Sequence, residues 1–474
     1  MNRFLISAAH KSSGKTTISI GLCAALKARG LAVQPFKKGP DYIDPMWLSL
    51  ASSRTCRNLD FYLMQREQIV ATFSKHAANA DVSLVEGNKG LYDGLDLDGS
   101  NSNAALANLL QLPVVLVIDA RGMTRGIAPL ILGYQAFDRN IVIAGVILNN
   151  LGGARHESKL RAVIEHYTDV PVVGAVHHDN RLEISERQLG LMPSNESETA
   201  VRHVTEIGEI VGSQVNLDEI MRLAAMSPTL PQTKMTAAKT ASVSSRITDC
   251  VRSVRIGLAR DKAFGFYYPD DLEALQAAGA ELVPVDTLND AHLPKLDGLF
   301  IGGGFPERFM QELEANSTLR GEIHAAIESG LPVYAECGGL MYLARSLSWG
   351  EKTCRMVGTI PGDVVMHDKP VGRGYVRLAT TPGHPWDTGA TEKSGTELFA
   401  HEFHYSSLEK LEAPVKYAYQ VLRGHGVDGH SDGIVYKNLL ACYAHLRSNG
   451  AYNWAQQFVT YIRDIKLQQG LVRH

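Results

Sequence analysis

The chain is short of paired cysteines, of surplus charge and of long apolar runs. Its six cysteines, Cys23, Cys56, Cys250, Cys337, Cys354 and Cys442, form no CxxC pair. That argues against a zinc ribbon or a disulfide scaffold and makes a reducing cytoplasm the default location. Lys and Arg total 47 against 50 Asp and Glu, a net charge of −3. So near-neutral a chain carries no footprint for nucleic acid and no polybasic membrane surface. Apolar runs such as residues 112–118 are far short of the ~18 residues that span a bilayer. The amino end turns polar at His10 and Lys11, so no signal peptide is read. Glycine, by contrast, is plentiful at 43, which suits many tight turns between strands and helices.

At 474 residues the chain holds roughly three domain lengths of ~150. Residues 4–9, 82–86, 113–118, 141–148 and 171–176 are Val, Ile and Leu runs. They are mostly apolar rather than alternating, as expected of parallel strands covered on both faces. Residues 16–29, 124–137 and 154–167 carry helical spacing. This is a βαβ series, and it predicts an α/β, doubly wound parallel sheet. Residues 226–249 are rich in Ser, Thr, Pro, Lys and Ala and read as a mobile linker. A second α/β series starts at 254–259 and continues through 281–285, 296–301 and 332–335. From about Met356 the pattern becomes short and Gly/Pro-punctuated, suggesting antiparallel additions. The expected organisation is 1–225 as a first domain, 226–253 as linker and 254–474 as a second domain.

Residues 9–17 (AHKSSGKTT) lie between a strand and a helix. There the backbone N–H groups of the turn and the helix start wrap a phosphate. Lys15 reaches the outer phosphates and the Thr16 hydroxyl ligates Mg²⁺. Gly14 and Thr17 complete the loop, and Ala9 stands where the strict pattern has glycine. Other polar groups follow strands, where open α/β sheets bind ligands. Lys37 and Lys38 suit phosphates or substrate carboxylates, and Asp41 and Glu86 suit the metal. Asn149, with Asn150, ends another strand and suits a base edge. Asp119 reads equally as a ligand or as the N-cap of the next helix.

Residues 332–341 read as strand, sharp turn and helix, with Cys337 at the turn. That is a nucleophile elbow beside a helix start that favours a thiolate. The N–H of Gly338 is an oxyanion donor, and the loop 302–307, with Gly303, supplies a second. A cysteine nucleophile needs a histidine base. His445 is the first choice, with His401 and His404 as competitors expected on one face of a strand.

SSGKTT (12–17), FKKGPDYIDP (36–45), EGNKGLYDG (86–94), GGGFPE (302–307), YAECGGLMYL (334–343), HEFHYS (401–406) and YAHL (443–446) follow one another in this order. Together they resemble the glutamine-dependent a,c-diamide synthases of tetrapyrrole biosynthesis, over nearly the whole chain. The resemblance implies a dethiobiotin-synthetase-like ATP-binding domain followed by a class I glutamine amidotransferase domain. It implies Cys337 as nucleophile and His445 as its base, with no clear third, acidic member. It implies ATP and Mg²⁺ as cofactors, served by Lys15, Thr16, Asp41 and Glu86, with Tyr42 and Asp93 near the substrate. A substrate carboxylate is phosphorylated, and ammonia released from glutamine then displaces the phosphate. The segments Asn88-Lys89 and 372–377, and Arg447 after Leu446, depart from the pattern. They leave cobyrinate, hydrogenobyrinate and sirohydrochlorin or sirohaem open as substrates, and a homodimer open as well.

Two rivals differ in chemistry. A partitioning-type ATPase switch has a similar phosphate loop but leaves the cysteine elbow unexplained. A relative that ligates ammonia to another acid, as in cobyric acid synthesis or cell-wall amidation, shares both domains, but FKKGPDYIDP resembles the a,c-type loop.

Overall fold

The computed structural model describes residues 1–187, 190–197, 199–230, 253–386, 395–412, 414–450 and 452–472. The chain divides into two compact units, Met1–Thr240 and Ala241–His474. Most of the expected linker, residues 231–252, lies outside the described residues, as does Cys250. Among the described residues no helix is long and apolar enough to cross a membrane.

The first unit is built on seven strands, β1 (Asn2–Ala8), β2 (Val33–Lys38), β3 (Arg57–Leu59), β4 (Val82–Glu86), β5 (Val114–Asp119), β6 (Ile143–Leu151) and β7 (Val172–His177). All pairings are parallel, in the order β3-β2-β4-β1-β5-β6-β7. The apolar runs are buried almost end to end, β1 and β5 losing solvent at all but one position. This is the signature of a sheet covered on both faces. Helix α1 (Lys15–Ala28) follows β1, and α2 (Ile43–Ser52) follows β2. The helix Ala200–Gln214 packs on α1 through small residues, since a Cβ on Gly208 would meet Ala24 at 2.7 Å. Phe36 and Phe73 pack ring to ring at 4.7 Å, each worth about 1.5–3 kcal/mol in burial.

The helix expected from residue 124 starts at Ile127 after Gly126. Gly122 at φ 68 keeps the preceding turn out of helical conformation. Asp119 therefore caps no helix. It pairs instead with Arg121 at 2.6 Å.

The main sheet of the second unit has nine strands, β8 (Val254–Ala259), β9 (Ala280–Val285), β10 (Gly298–Ile301), β11 (Val333–Glu336), β12 (Gly372–Thr380), β13 (Glu397–His404), β14 (Lys416–Arg423), β15 (Ser431–Tyr436) and β16 (Leu439–Cys442). Their order is β9-β8-β10-β11-β16-β15-β14-β12-β13. The half from β9 to β16 is parallel. The half from β16 to β13 is antiparallel, as the Gly/Pro-punctuated pattern suggested. Phe300 and Tyr334 stack at 5.2 Å, with Trp454 edge-on to Phe300 at 5.3 Å. These rings fix β10 and β11 under the carboxy-terminal helix Trp454–Val472.

Candidate active sites

In the first unit the carboxyl ends of four parallel strands converge. Gly14 precedes α1 at φ 86, and no side chain caps the helix. The positive φ is why glycine stands there. The free N–H groups at the start of a 14-residue helix are donors for an anion. A Cβ on Gly14 would lie 2.1 Å from Nδ2 of Asn149, whose amide donates to the Ser13 carbonyl at 3.0 Å. Asn149, expected at a base edge, thus has its amide nitrogen committed to the loop. Lys15 is buried, and its ammonium is pulled down to about 8, first by burial and then by Lys37, against the pull of Glu86, Asp44 and Asp93. Thr17 lies one turn position further along α1 and is half-buried.

Thr16 Oγ1 donates to Oε1 of Glu86 at 2.7 Å and lies 3.2 Å from Oδ2 of Asp44. Lys37 Nζ is 2.9 Å from the same Glu86 oxygen, 2.5 Å from Asp44 and 3.8 Å from Asp41. Burial alone would lower the Lys37 ammonium, but Asp44, Glu86 and Asp41 together raise it well above the ordinary lysine value. Asp41 spends Oδ1 on the N–H groups of Ile43 and Asp44, opening α2. Asp44, unread in the sequence, is the carboxylate that joins Thr16 and Glu86. Its place as the second residue of α2 was the available signal.

Glu86 is fully buried, and its carboxyl is raised, by burial first, against the pull of Lys37. Its Oε2 has no hydrogen-bond partner among the described residues. A buried carboxylate oxygen left without a donor is costly unless a cation meets it. The donors here, a hydroxyl and carboxylates, are the hard oxygens Mg²⁺ takes. Thr16, Asp44 and Glu86 therefore fit the ion.

Lys38 Nζ donates to Asn88 Oδ1 at 3.1 Å. Burial foremost pushes Lys38 down to about 8. The loop holding Asn88 is organised by fully buried Asn103, whose amide donates to the Gly90 carbonyl at 2.8 Å and to Ser7 Oγ at 3.2 Å. Asp93 folds back to accept from Gly90 N at 2.8 Å. Tyr42 stands just before α2, half-buried.

In the second unit β11 ends at Glu336 and the short helix Gly338–Leu343 begins after a single intervening residue. Cys337 makes that turn at φ 49, ψ −103, a strained conformation for a residue with a Cβ. Its N–H donates to the Cys442 carbonyl at 2.7 Å, which locks the elbow to the end of β16. Strained turns of this kind push a nucleophile out of the sheet edge. The glycine loop lies directly against it. A Cβ on Gly338 would meet Gly304 N at 3.1 Å, and one on Gly303 would meet the His445 ring at 2.6 Å. Only glycine admits this approach of backbone to elbow.

His445 is held from both sides along the chain. Buried Asp432 accepts from the N–H groups of Tyr443 and Ala444 at 3.0 and 2.9 Å, and Glu336 accepts from Leu446 N at 2.9 Å. Burial pushes the imidazole down, yet its contacts with Cys337 and Glu336 and the attraction of both raise it to about 10. An imidazolium beside a thiol is the pairing that makes a thiolate.

His401 stacks on His445 at 4.9 Å, 16° off parallel. Burial, then His445 and Arg447, hold it well below the usual histidine range. His404 stacks instead on Tyr443 at 3.9 Å. The two histidines thus do not share a partner, contrary to the expectation of one face. They are three residues apart, and strand alternation has a period of two. Of the three candidates only His445 bonds Cys337. The residue the sequence did not single out is Glu336, whose Oε2 lies 3.4 Å from His445 Nδ1.

Comparison with known proteins bears on both units. Residues 255–451 match a family described as a CobB/CobQ-like glutamine amidotransferase domain, and residues 2–185 match an AAA domain family. A cobyrinate a,c-diamide synthase of Magnetococcus marinus is 47% identical, over 98% of this chain and 97% of that protein. One from Methanosarcina acetivorans is 42% identical, over 94% of this chain and 92% of that protein. One from Archaeoglobus fulgidus is 39% identical, over 96% of each.

Proposed function

The chain belongs to the cobyrinate a,c-diamide synthase family, and on that premise we propose that it amidates the a and c acetate carboxylates of cobyrinate through acyl-phosphate intermediates. It is a carbon–nitrogen ligase that takes nitrogen from glutamine and energy from ATP. The observation that carries the detailed reading is one chain holding an uncapped phosphate loop beside buried carboxylates and a strained cysteine elbow bonded to His445.

In the second unit, Sγ of Cys337 attacks the side-chain carbonyl carbon of glutamine. The C–S bond forms, and the carbonyl electrons move to an oxygen met by Gly338 and the Gly303 loop. When the carbonyl re-forms, the C–N bond breaks. The nitrogen takes a proton from His445 and leaves as ammonia. Water then attacks the thioester, gives its proton to His445 and releases glutamate.

In the first unit, a substrate carboxylate oxygen attacks the γ-phosphorus of ATP and ADP departs. Ammonia attacks the acyl carbon and phosphate leaves. The loop N–H groups and Lys15 hold the phosphates, and Gly14 lets them approach. Thr16, Glu86 and Asp44 would hold Mg²⁺, with Asp41 behind them, and the ion when bound would supply charge neutralisation at the outer phosphates. Lys37, Lys38, Tyr42 and Asp93 line the substrate side. A carboxylate has no good leaving group, and phosphorylation supplies one. We place the enzyme in the cytoplasm, where ATP and glutamine are found. The near-neutral charge supports a reading without a nucleic-acid partner, and a homodimer is carried forward as part of the proposal.

The test is a substrate panel. Purified protein, ATP, Mg²⁺ and glutamine are incubated with cobyrinate, hydrogenobyrinate, sirohydrochlorin and sirohaem, and products are read by mass. Cobyrinate is expected to lose about one mass unit in each of two steps. No change on any macrocycle, with glutamate still released, overturns the tetrapyrrole reading and leaves the glutaminase.

A further inference from the structure

The resemblance leaves the acidic partner of the Cys–His pair unassigned. We propose that Glu336, the residue immediately before the nucleophile, is that partner, a positioning residue that orients His445 and keeps it protonated. This rests on the reading of Cys337 and His445 as the glutaminase.

Three contacts carry the inference. Glu336 Oε2 lies 3.4 Å from Nδ1 of His445, and both side chains are buried. Its other oxygen accepts from the Tyr334 hydroxyl at 2.6 Å and from Leu446 N at 2.9 Å. One oxygen is thus pinned by two donors, which aims the second at the imidazole. With Nδ1 facing Glu336, the hydrogen bond between His445 and Cys337 falls to Nε2. The arrangement is nucleophile, base and orienting acid, and here the acid and the nucleophile are neighbours in sequence. A buried carboxylate beside a buried imidazole favours the imidazolium.

Other groups facing His445 work against protonation or leave it unchanged. His401 is stacked on it, and the Tyr268 hydroxyl is turned toward His401 at 3.4 Å. Arg447 is paired with Asp270 at 2.7 Å. Gly302, Gly303 and Gly304 contribute no ionisable side chain. Glu336 is thus the anionic side chain, apart from the thiolate itself, that meets the ring among the described residues.

In the reaction Glu336 forms and breaks no covalent bond. It holds the proton on His445 while the thiolate attacks, and it keeps Nε2 in line to pass that proton to the departing nitrogen.

The experiment measures glutamate release against pH for the full chain, wild type, Glu336→Gln and Glu336→Asp. It also measures alkylation of Cys337 by iodoacetamide. Glu336→Gln is expected to lower kcat about 100-fold. It is also expected to bring the alkaline limb of kcat/KM down by at least about one pH unit and to slow alkylation at neutral pH. Glu336→Asp keeps the charge on a shorter arm and is expected to recover part of the rate and most of the limb. Unchanged rate and limb in Glu336→Gln overturn the proposal. A lower rate with an unmoved limb and normal alkylation also overturns it, because that is the pattern of a structural anchor. Should Glu336→Gln not fold, Glu336→Asp decides, and a wild-type limb and rate there overturn the proposal. If wild type releases no glutamate, or Cys337→Ala still does, the glutaminase reading itself falls and takes this proposal with it. That outcome is distinct from any in which only the Glu336 variants depart from expectation.

Discussion

Both sites sit at the carboxyl ends of parallel strands, yet they manage charge in opposite ways. The phosphate site gathers Lys15, Lys37, Asp41, Asp44 and Glu86 from β1, β2 and β4 and from the helices that follow. Its two ammonium groups meet three carboxylates, and among the described residues one oxygen of Glu86 is left without a hydrogen-bond partner. The thiol site is the reverse. It holds few charges, and the backbone around them is pinned, by Asp432 on one side of His445 and by Glu336 on the other. A site for a mobile polyanion needs adjustable charge. A site for covalent attack needs one geometry, and strain at Cys337 persists because its surroundings over-determine it.

The comparison is broken most directly at Cys337. Cys337→Ala is expected to lower glutamate release by about 10⁴-fold or more, with amidation from added ammonium retained. Loss of both activities in a folded variant would falsify the independence of the two sites.

Lys15→Ala is expected to cut amidation about 1000-fold with either nitrogen source, leaving glutamate release in place. Amide product by mass and glutamate by coupled assay separate the two. Full synthesis in this variant would move the ATP site elsewhere.

Glu86→Gln sharpens the electrostatic half of the comparison. It keeps the shape and removes the charge that suits the cation, so amidation is expected to fall about 100-fold with a raised Mg²⁺ requirement. Titration of activity against Mg²⁺ reads this, and an unshifted requirement rules Glu86 out as a ligand.

The thiol site carries a pH expectation. His445 is the acid for the leaving ammonia, and its imidazolium is held to about 10. The protonated form is present below that value and lost above it. Glutaminase kcat/KM is therefore expected to stay level through neutrality and fall as pH rises through about 10. A fall centred near the ordinary histidine value contradicts the pairing.

The smallest effect is expected at Asn103, fully buried and bonded to Gly90 and Ser7. Asn103→Ala removes these buried bonds and is expected to cost about 1–3 kcal/mol. A lower Tm checks it.

Much of this was legible in the sequence because it was local. A buried parallel strand is mostly apolar rather than alternating, so Val82–Glu86 and Val254–Ala259 could be placed from the sequence pattern. A phosphate loop is a contiguous backbone turn, and the cysteine elbow is a strand, a turn and two glycines in a row. The helix Ala154–Tyr167 was visible in its spacing, whereas the start of Ile127–Phe137 was not, because the turn at Gly122 is a backbone choice that spacing does not record.

Composition and local pattern thus determined the α/β class, the two reacting centres and, through the order of seven motifs, the family. Tertiary structure decided which side chains meet at those centres. Sheet order brought Glu86 at the end of β4 to Thr16, and the turn into α2 delivered Asp44. The pairing of β11 with β16 set His445 beside the elbow and gave Glu336 a partner that its position in the sequence does not reveal. Helix and strand patterns record which face of one element is buried, but contacts between elements depend on strand order and register. Those are settled only when the whole sheet assembles.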